Sequence, residues 1–200
     1  MQINLKETPK RIKKADAMLE SATGIFSQHG YNNTKLQQIT SSLDLTDKSI
    51  YYYFSSKGDL FSEVILHIQH QLDNLMEEVS AQKINHLEKL KLYSQKATAV
   101  DGLTLLMYIP SSLSDFSKFE IIKENEARHY VSWDLWFKKG HMDGSIIKGV
   151  PADQRQFLFG SLFYLHKSHV LQKGVSYKSV QPFVELMIER MFSTNYVPKK

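Results

Sequence analysis

The sequence predicts an all-α protein. Three observations carry that reading. Only five prolines and nine glycines interrupt 200 residues, strand-like alternation is scarce, and apolar residues recur at steps of three and four along most of the chain. Hydrophobic residues make up 42% and charged residues 23% of the sequence, which suits a packed globular chain and not a disordered one. At this length a substantial core forms without cross-links. Cysteine is absent, which excludes a disulfide framework, a thiolate metal site and a cysteine nucleophile.

The first helix is expected from about Pro9 to His29, with the apolar stripe Ile12, Ala15, Leu19, Ala22 and Phe26. Gly30 stands where a left-handed residue ends a helix at little cost. Thr34 is placed to cap a second helix with stripe Leu36, Ile39 and Leu43. Asp44-Leu45 forms a turn, and Thr46 caps a short third helix from Asp47 to about Phe54. Ser56 caps a fourth, along which Leu60, Val64, Ile68, Leu72 and Leu75 share one face beside Phe61 and Ile65. Further helices are expected over about Ile84–Val100, Gly102–Ile109 (ended by Pro110), Ser117 to just before Gly140, and Pro151 to about Leu171. Gly174 marks a break. The last helix runs from near Ser179 to near Ser193, since Pro182 is tolerated in a first turn.

Charge is uneven along this chain. Residues 1–57 hold eight bases and five acids, a net +3, and the remainder carries only +1. A basic front on a near-neutral body suits an anionic partner. The second and third helices, joined by a three-residue turn, have the layout of a DNA-binding helix-turn-helix. In that motif the second helix enters the major groove. Here it is too short to stand alone, so Ile50 and Phe54 are expected inside. Lys48, Ser49, Tyr52 and Tyr53 are then outside: a cation, hydroxyls and flat rings.

Phe26 to Val64 resembles the N-terminal module of TetR-family regulators. The resemblance rests on Phe26 with Gly30-Tyr31 at the end of helix one and Thr34 opening helix two. It rests equally on Ile39-Thr40, on Thr46, on Ile50-Tyr51-Tyr52-Tyr53-Phe54, and on Lys57-Gly58-Asp59-Leu60. Many spaced positions agree at once, although Leu43-Asp44 replaces the family's Ala-Gly, Thr40 an alanine, Gly58 an acid and Lys48 a small residue. The resemblance implies DNA contacts by Thr34, Thr46, Lys48, Ser49, Tyr51, Tyr53 and Lys57. Tyr52 stands open between DNA and core. Hydroxyls and free N–H groups at helix starts suit phosphates, and Lys48 and Ser49 stand where base edges are read.

The expected architecture is therefore a helix-turn-helix domain over residues 1–57 and a helical effector-binding and dimerisation domain over 58–200. By fold-level analogy alone, the second domain binds a small molecule and a second copy of the chain. Tyr130, Trp133 and Phe137 share a helix face, with Trp136 beside it and His129 one turn before Trp133. His129, Tyr130, Trp133 and Trp136 are the candidate effector lining, and packing with no cavity is the alternative. Phe116, Phe157, Phe159 and Tyr164 add further rings. Gly160, Phe163, Phe183, Met187 and Met191 are the candidate dimer contacts, because the last helix carries two apolar faces.

No catalytic constellation and no cofactor motif is legible. The pairs His67/His70 and His166/His169 have metal-compatible spacing but no cysteine or carboxylate partner, and no metal is expected. No stretch is long and apolar enough to span a bilayer. The polar, basic start from Met1 to Lys14 lacks a signal peptide's apolar run, so a cytoplasmic protein is expected. The expected function is a repressor of neighbouring genes that binds palindromic operator DNA as a homodimer and is relieved by an apolar or aromatic effector. The alternative is a TetR-like DNA-binding protein without such an effector, acting architecturally or through a protein partner.

Overall fold

A computed structural model describes residues 9–108, 118–165, 168 and 177–196, with backbone only at 9–11, 47, 107, 108, 177 and 178. The expectations for Pro110, Phe116, Ser117, His166, His169, Leu171 and Gly174 lie outside the described residues. The helices are α1 (Pro9–Asn33), α2 (Leu36–Ser41), α3 (Asp47–Tyr51), α4 (Lys57–Ser80), α5 (His86–Ala97), α6 (Phe119–Asp143), α7 (Pro151–Leu165) and α8 (Tyr177–Phe192). A 3-10 helix, Leu103–Tyr108, lies between α5 and α6. Among the described residues the only extended pairing is a single antiparallel bridge between Ile146 and Ser193.

The chain divides into two compact units, residues 1–70 with 101–124 and residues 71–100 with 125–200. The first half of α4 falls in the first unit with the three helices before it. Leu60, Phe61, Val64, Ile65 and Ile68 are fully buried, as are Met18, Ala22 and Phe26 of α1, Ile39 of α2 and Ile50 of α3. Phe61 meets the Phe26 ring edge-on at 5.0 Å and the Tyr31 ring at 5.0 Å. Of the stripe expected on α1, Ile12 alone stays partly exposed, and Met18 takes a place in the core that its spacing did not announce.

Gly30 takes the left-handed φ of 73° that its position called for, but helical turns resume beyond it to Asn33. Between α5 and α6 the expected α-helix is a 3-10 helix instead. Leu103, Thr104 and Leu105 are buried in succession, a pattern that a tighter turn serves and an amphipathic α-helix does not.

In the second unit α6 runs through Gly140 to Asp143, past its expected end. Gly140 is buried because Ile146 folds back on it: a Cβ there would lie 2.3 Å from Ile146 Cδ1. The reversal comes at Gly144 (φ 76°). It is pinned by Asp143, which accepts from the Ser145 hydroxyl (2.6 Å) and backbone N–H (2.9 Å) and pairs with His86 Nδ1 (2.6 Å) at the start of α5. Partial burial alone would raise the Asp143 pKa, but these hydrogen bonds hold it down to about 2. α8 starts at Tyr177, so Pro182 lies inside it. Val184, Ile188 and Phe192 form its buried face, and it packs chiefly on α5.

Candidate nucleic-acid interface

The turn between α2 and α3 is built around Asp44, the only non-glycine residue of positive φ (52°) among the described residues. The Leu43 and Leu45 amides both donate to the Thr40 carbonyl, at 3.1 and 2.9 Å. Thr40, buried, spends its hydroxyl on the Leu36 and Gln37 carbonyls. The chain thus reverses tightly in front of α3, where the sequence has aspartate in place of glycine.

α3 is shorter than expected and ends at Tyr51, with Tyr52 as its C-cap. Ile50 and Phe54 are buried beneath it as the spacing required. The outer side presents Thr46 and Lys48, exposed, with Ser49 half-buried. Tyr51 and Tyr52 are 57% and 65% exposed. For such large rings that openness decides against core packing, which had been open for Tyr52. Tyr53 is half-buried, its ring edge-on to Tyr52 at 5.2 Å. Thr46 is the N-cap residue, but its hydroxyl makes no capping bond and lies 3.1 Å from the Ser49 hydroxyl. The Thr46 and Ser49 hydroxyls and exposed Lys48 thus stand together at the entry to α3, a composition suited to phosphate and base edges.

Two expectations need correction. Thr34 does not cap α2. It is 2% exposed, and its hydroxyl donates to the Gly30 carbonyl at 2.8 Å, closing the turn after α1. The cap position is Lys35, whose backbone N–H is taken by Gln38 Oε1 at 2.7 Å. Lys57 is not a free cation at the start of α4. Its Nζ donates to the Tyr31 and Thr34 carbonyls at 2.9 and 3.0 Å and sits 4.4 Å from the Tyr31 ring centre. It ties α4 to the end of α1. Exposed Lys35, at the entry to α2, was not singled out from the sequence. The signal for it was its place immediately before a helix start.

The four residues named for the effector lie in the second unit as a packed cluster. Trp133 is fully buried and Trp136 5% exposed. The Trp133 ring meets Tyr93 (4.9 Å), Trp136 (5.6 Å) and Phe159 (5.0 Å). His129 holds Asp73 Oδ1 through Nδ1 (2.9 Å) and Tyr93 Oη through Nε2 (3.1 Å). Tyr130 donates to Glu126 (2.5 Å) beneath the Arg155 guanidinium, 4.3 Å from the ring centre. Burial, with Asp73 nearby, drives the Tyr93 hydroxyl well above its ordinary pKa. Tyr93 sits among these rings and was missed, because contact between α5 and α6 has no local sequence signal. Trp136 donates to Ser80 Oγ at 3.2 Å, whereas the buried Trp133 indole N–H has no acceptor among the described residues.

Of the residues named for a dimer, Gly160 is exposed and Phe183 is 56% exposed, whereas Phe163, Met187 and Met191 are half-buried. The outward faces also carry Phe157 (63%), Tyr164 (72%) and Leu186 (43%). A shallow groove on α7 is lined by Phe157, Gly160, Ser161 and Tyr164 with Asp153 and Gln156. His67 and His70 lie on α4, and no group of metal-ligating side chains assembles among the described residues. No described helix is long and apolar enough to cross a membrane.

Residues 18–64 match the family described as bacterial regulatory proteins, tetR family. The repressor NicS of Pseudomonas putida is 40% identical over 53 residues, 26% of this chain and 25% of NicS. The fatty acid metabolism regulator protein of Bacillus subtilis is 24% identical over 165 residues, 77% of this chain and 80% of that protein. The ketosteroid transcriptional regulator KstR2 of Mycobacterium tuberculosis shares the fold, with a TM-score of 0.76 at 15% identity, covering 91% of this chain and 96% of that one.

Proposed function

We propose that this chain, whose residues 18–64 match the TetR family of bacterial regulatory proteins, is a homodimeric repressor of neighbouring genes, released from a palindromic operator by an apolar effector. The observation that carries the DNA half is α3 itself. Ile50 on its inner side is fully buried, and Thr46, Lys48, Tyr51 and Tyr52 are exposed around it. Residues 1–57 are the reading part and residues 58–200 the effector and dimer part. Two copies must set their third helices about 34 Å apart to enter successive major grooves. The outward apolar residues of α7 and α8 supply the surface that joins them.

The effector half rests on the buried indole N–H of Trp133, which lacks an acceptor. Buried donors are nearly always paired, so an apolar molecule carrying a carbonyl or hydroxyl oxygen would satisfy it while its body lies among the rings. Two similar proteins are named for fatty acid metabolism and for ketosteroids, both classes of that chemistry. A ligand that favours another spacing of the third helices weakens DNA binding by population shift. The second reading, with no small-molecule effector, is favoured by the close ring-on-ring packing around Trp133.

The test begins by enriching duplexes from a random library with the purified protein. A palindrome is expected, with affinity falling steeply with salt at a log–log slope of roughly −0.9 per neutralised phosphate. Lys48→Ala should reorder the preferred bases, at about 1–3 kcal/mol for a good base contact. Long-chain fatty acyl thioesters and 3-ketosteroids should then quench tryptophan emission and release the duplex over one concentration range. Failure to enrich any duplex removes the repressor reading. Release without quenching, or with unchanged affinity in Trp133→Phe, places the effector elsewhere.

A further inference from the structure

The third helix has only five residues and cannot hold its own direction in water. Its entry end has no side-chain cap, so its exit end must be held by something else. After Ile50 the chain makes one tight turn, with the Tyr53 and Phe54 amides both on the Ile50 carbonyl at 2.9 Å. Ser55 follows directly. Its backbone N–H and hydroxyl both donate to Asp59 Oδ2, at 2.8 and 3.1 Å. Asp59 is itself fixed by its own N–H, which donates to Ser56 Oγ at 3.0 Å. This is an ordinary helix start until the other carboxylate oxygen is considered.

Asp59 Oδ1 accepts from Lys118 Nζ at 2.6 Å, 59 residues away in the chain, and the same Nζ donates to Glu63 Oε1 at 2.5 Å. The three side chains are 14% (Asp59), 17% (Glu63) and 26% (Lys118) exposed, so solvent screens the group only in part. Asp59 and Glu63 lie four residues apart on α4, where like charges repel. Without a cation between them, the Asp59 carboxylate would be pushed toward water and away from the geometry that holds Ser55. Burial alone would raise the Asp59 pKa and lower that of Lys118. The bonds between them outweigh burial in both, and with Ser55 they keep Asp59 ionised.

We propose that Lys118 is a positioning residue for DNA recognition: by dividing the two oxygens of Asp59 between itself and Ser55, it fixes where the third helix ends and hence how that helix is presented. Lys118 lies just before α6, far in sequence from the helix-turn-helix. It acts through Asp59 and not on DNA.

The test uses the full-length protein and the duplex enriched by wild type. Lys118→Met should weaken binding roughly tenfold, the size of one lost charge-assisted hydrogen bond. The salt slope should be unchanged, because no phosphate contact is lost. Lys118→Arg should restore most of the affinity. Asp59→Asn should match Lys118→Met, and the double variant should be no worse than either alone. Amide exchange separates positioning from general loosening. The Ser55, Phe54 and Tyr53 amides should exchange faster in Lys118→Met, while those of α1 around Leu19 stay protected. Equal loss of protection in α1, a salt slope reduced by about one, or wild-type affinity in Lys118→Met would each overturn the proposal. Should Lys118→Met not fold, Asp59→Asn exchange and affinity decide it by the same criteria. If wild type enriches no duplex, the DNA-binding reading itself has failed and this inference falls with it.

Discussion

Asp44 shows how a single side chain records a constraint on the backbone. The turn before α3 needs a left-handed residue, and aspartate reaches that region more readily than most residues. Its φ of 52° follows from the tight return of Leu43 and Leu45 to the Thr40 carbonyl. Asp44→Val should therefore destabilise the protein by about 1–2 kcal/mol, because a β-branched chain clashes in this conformation. Asp44→Gly should stay close to wild type. Urea midpoints of the two variants check this, and equal midpoints would mean that the turn relaxes to another conformation. Thr34 and Lys57 show the limit of reading at this scale. Their side chains match a pattern of DNA contacts, yet one closes a turn and the other holds two carbonyls. A spacing reports which residues stand at a helix start and not which partner is nearest.

Among the elements, α6 departs most clearly from expectation, and the reason is packing. Glycine in a helix costs about 1 kcal/mol relative to alanine, so Gly140 reads locally as a stop. It remains helical because the returning loop lays Ile146 against its bare Cα and bonds the Ile146 amide to its carbonyl at 3.1 Å. Gly140→Ala should then cost about 1–3 kcal/mol by overpacking despite alanine's better helix propensity. In the Ile146→Ala background the same substitution should cost much less, since the facing methyl is gone. Thermal melts of the four proteins measure that coupling. Additive losses would show that Gly140 is not there to admit Ile146.

At the scale of the molecule the apolar surface matters more than any single ring. Phe157 and Tyr164 on α7, with Phe183 and Leu186 on α8, are open to solvent, although α7 already buries Leu158, Leu162 and Leu165 on its inner side. A helix that is apolar on both sides is normally covered on both. Tyr164→Glu and Phe183→Glu should accordingly give folded monomers with crippled operator binding. Neither ring is part of the core, so the melting temperature of each variant should change little apart from the loss of dimer linkage. Sedimentation of wild type as a monomer at micromolar concentration would refute the interface.

The helical class, the order of helices and the inner face of the helix-turn-helix were legible in the chain alone, since those follow from periodicity and from turn residues acting within a few positions. Leu60, Val64, Ile68 and Leu72 were readable as a buried stripe because a helix repeats its face every three or four residues. What those helices meet depends on how they pack in space. The ring of Tyr93 against Trp133, the closure of Ile146 on Gly140, the surrender of Lys57 to two carbonyls and the bond from Lys118 to Asp59 all join residues far apart in the chain. Such contacts are selected by shape and charge once the core has formed, and no local pattern encodes them.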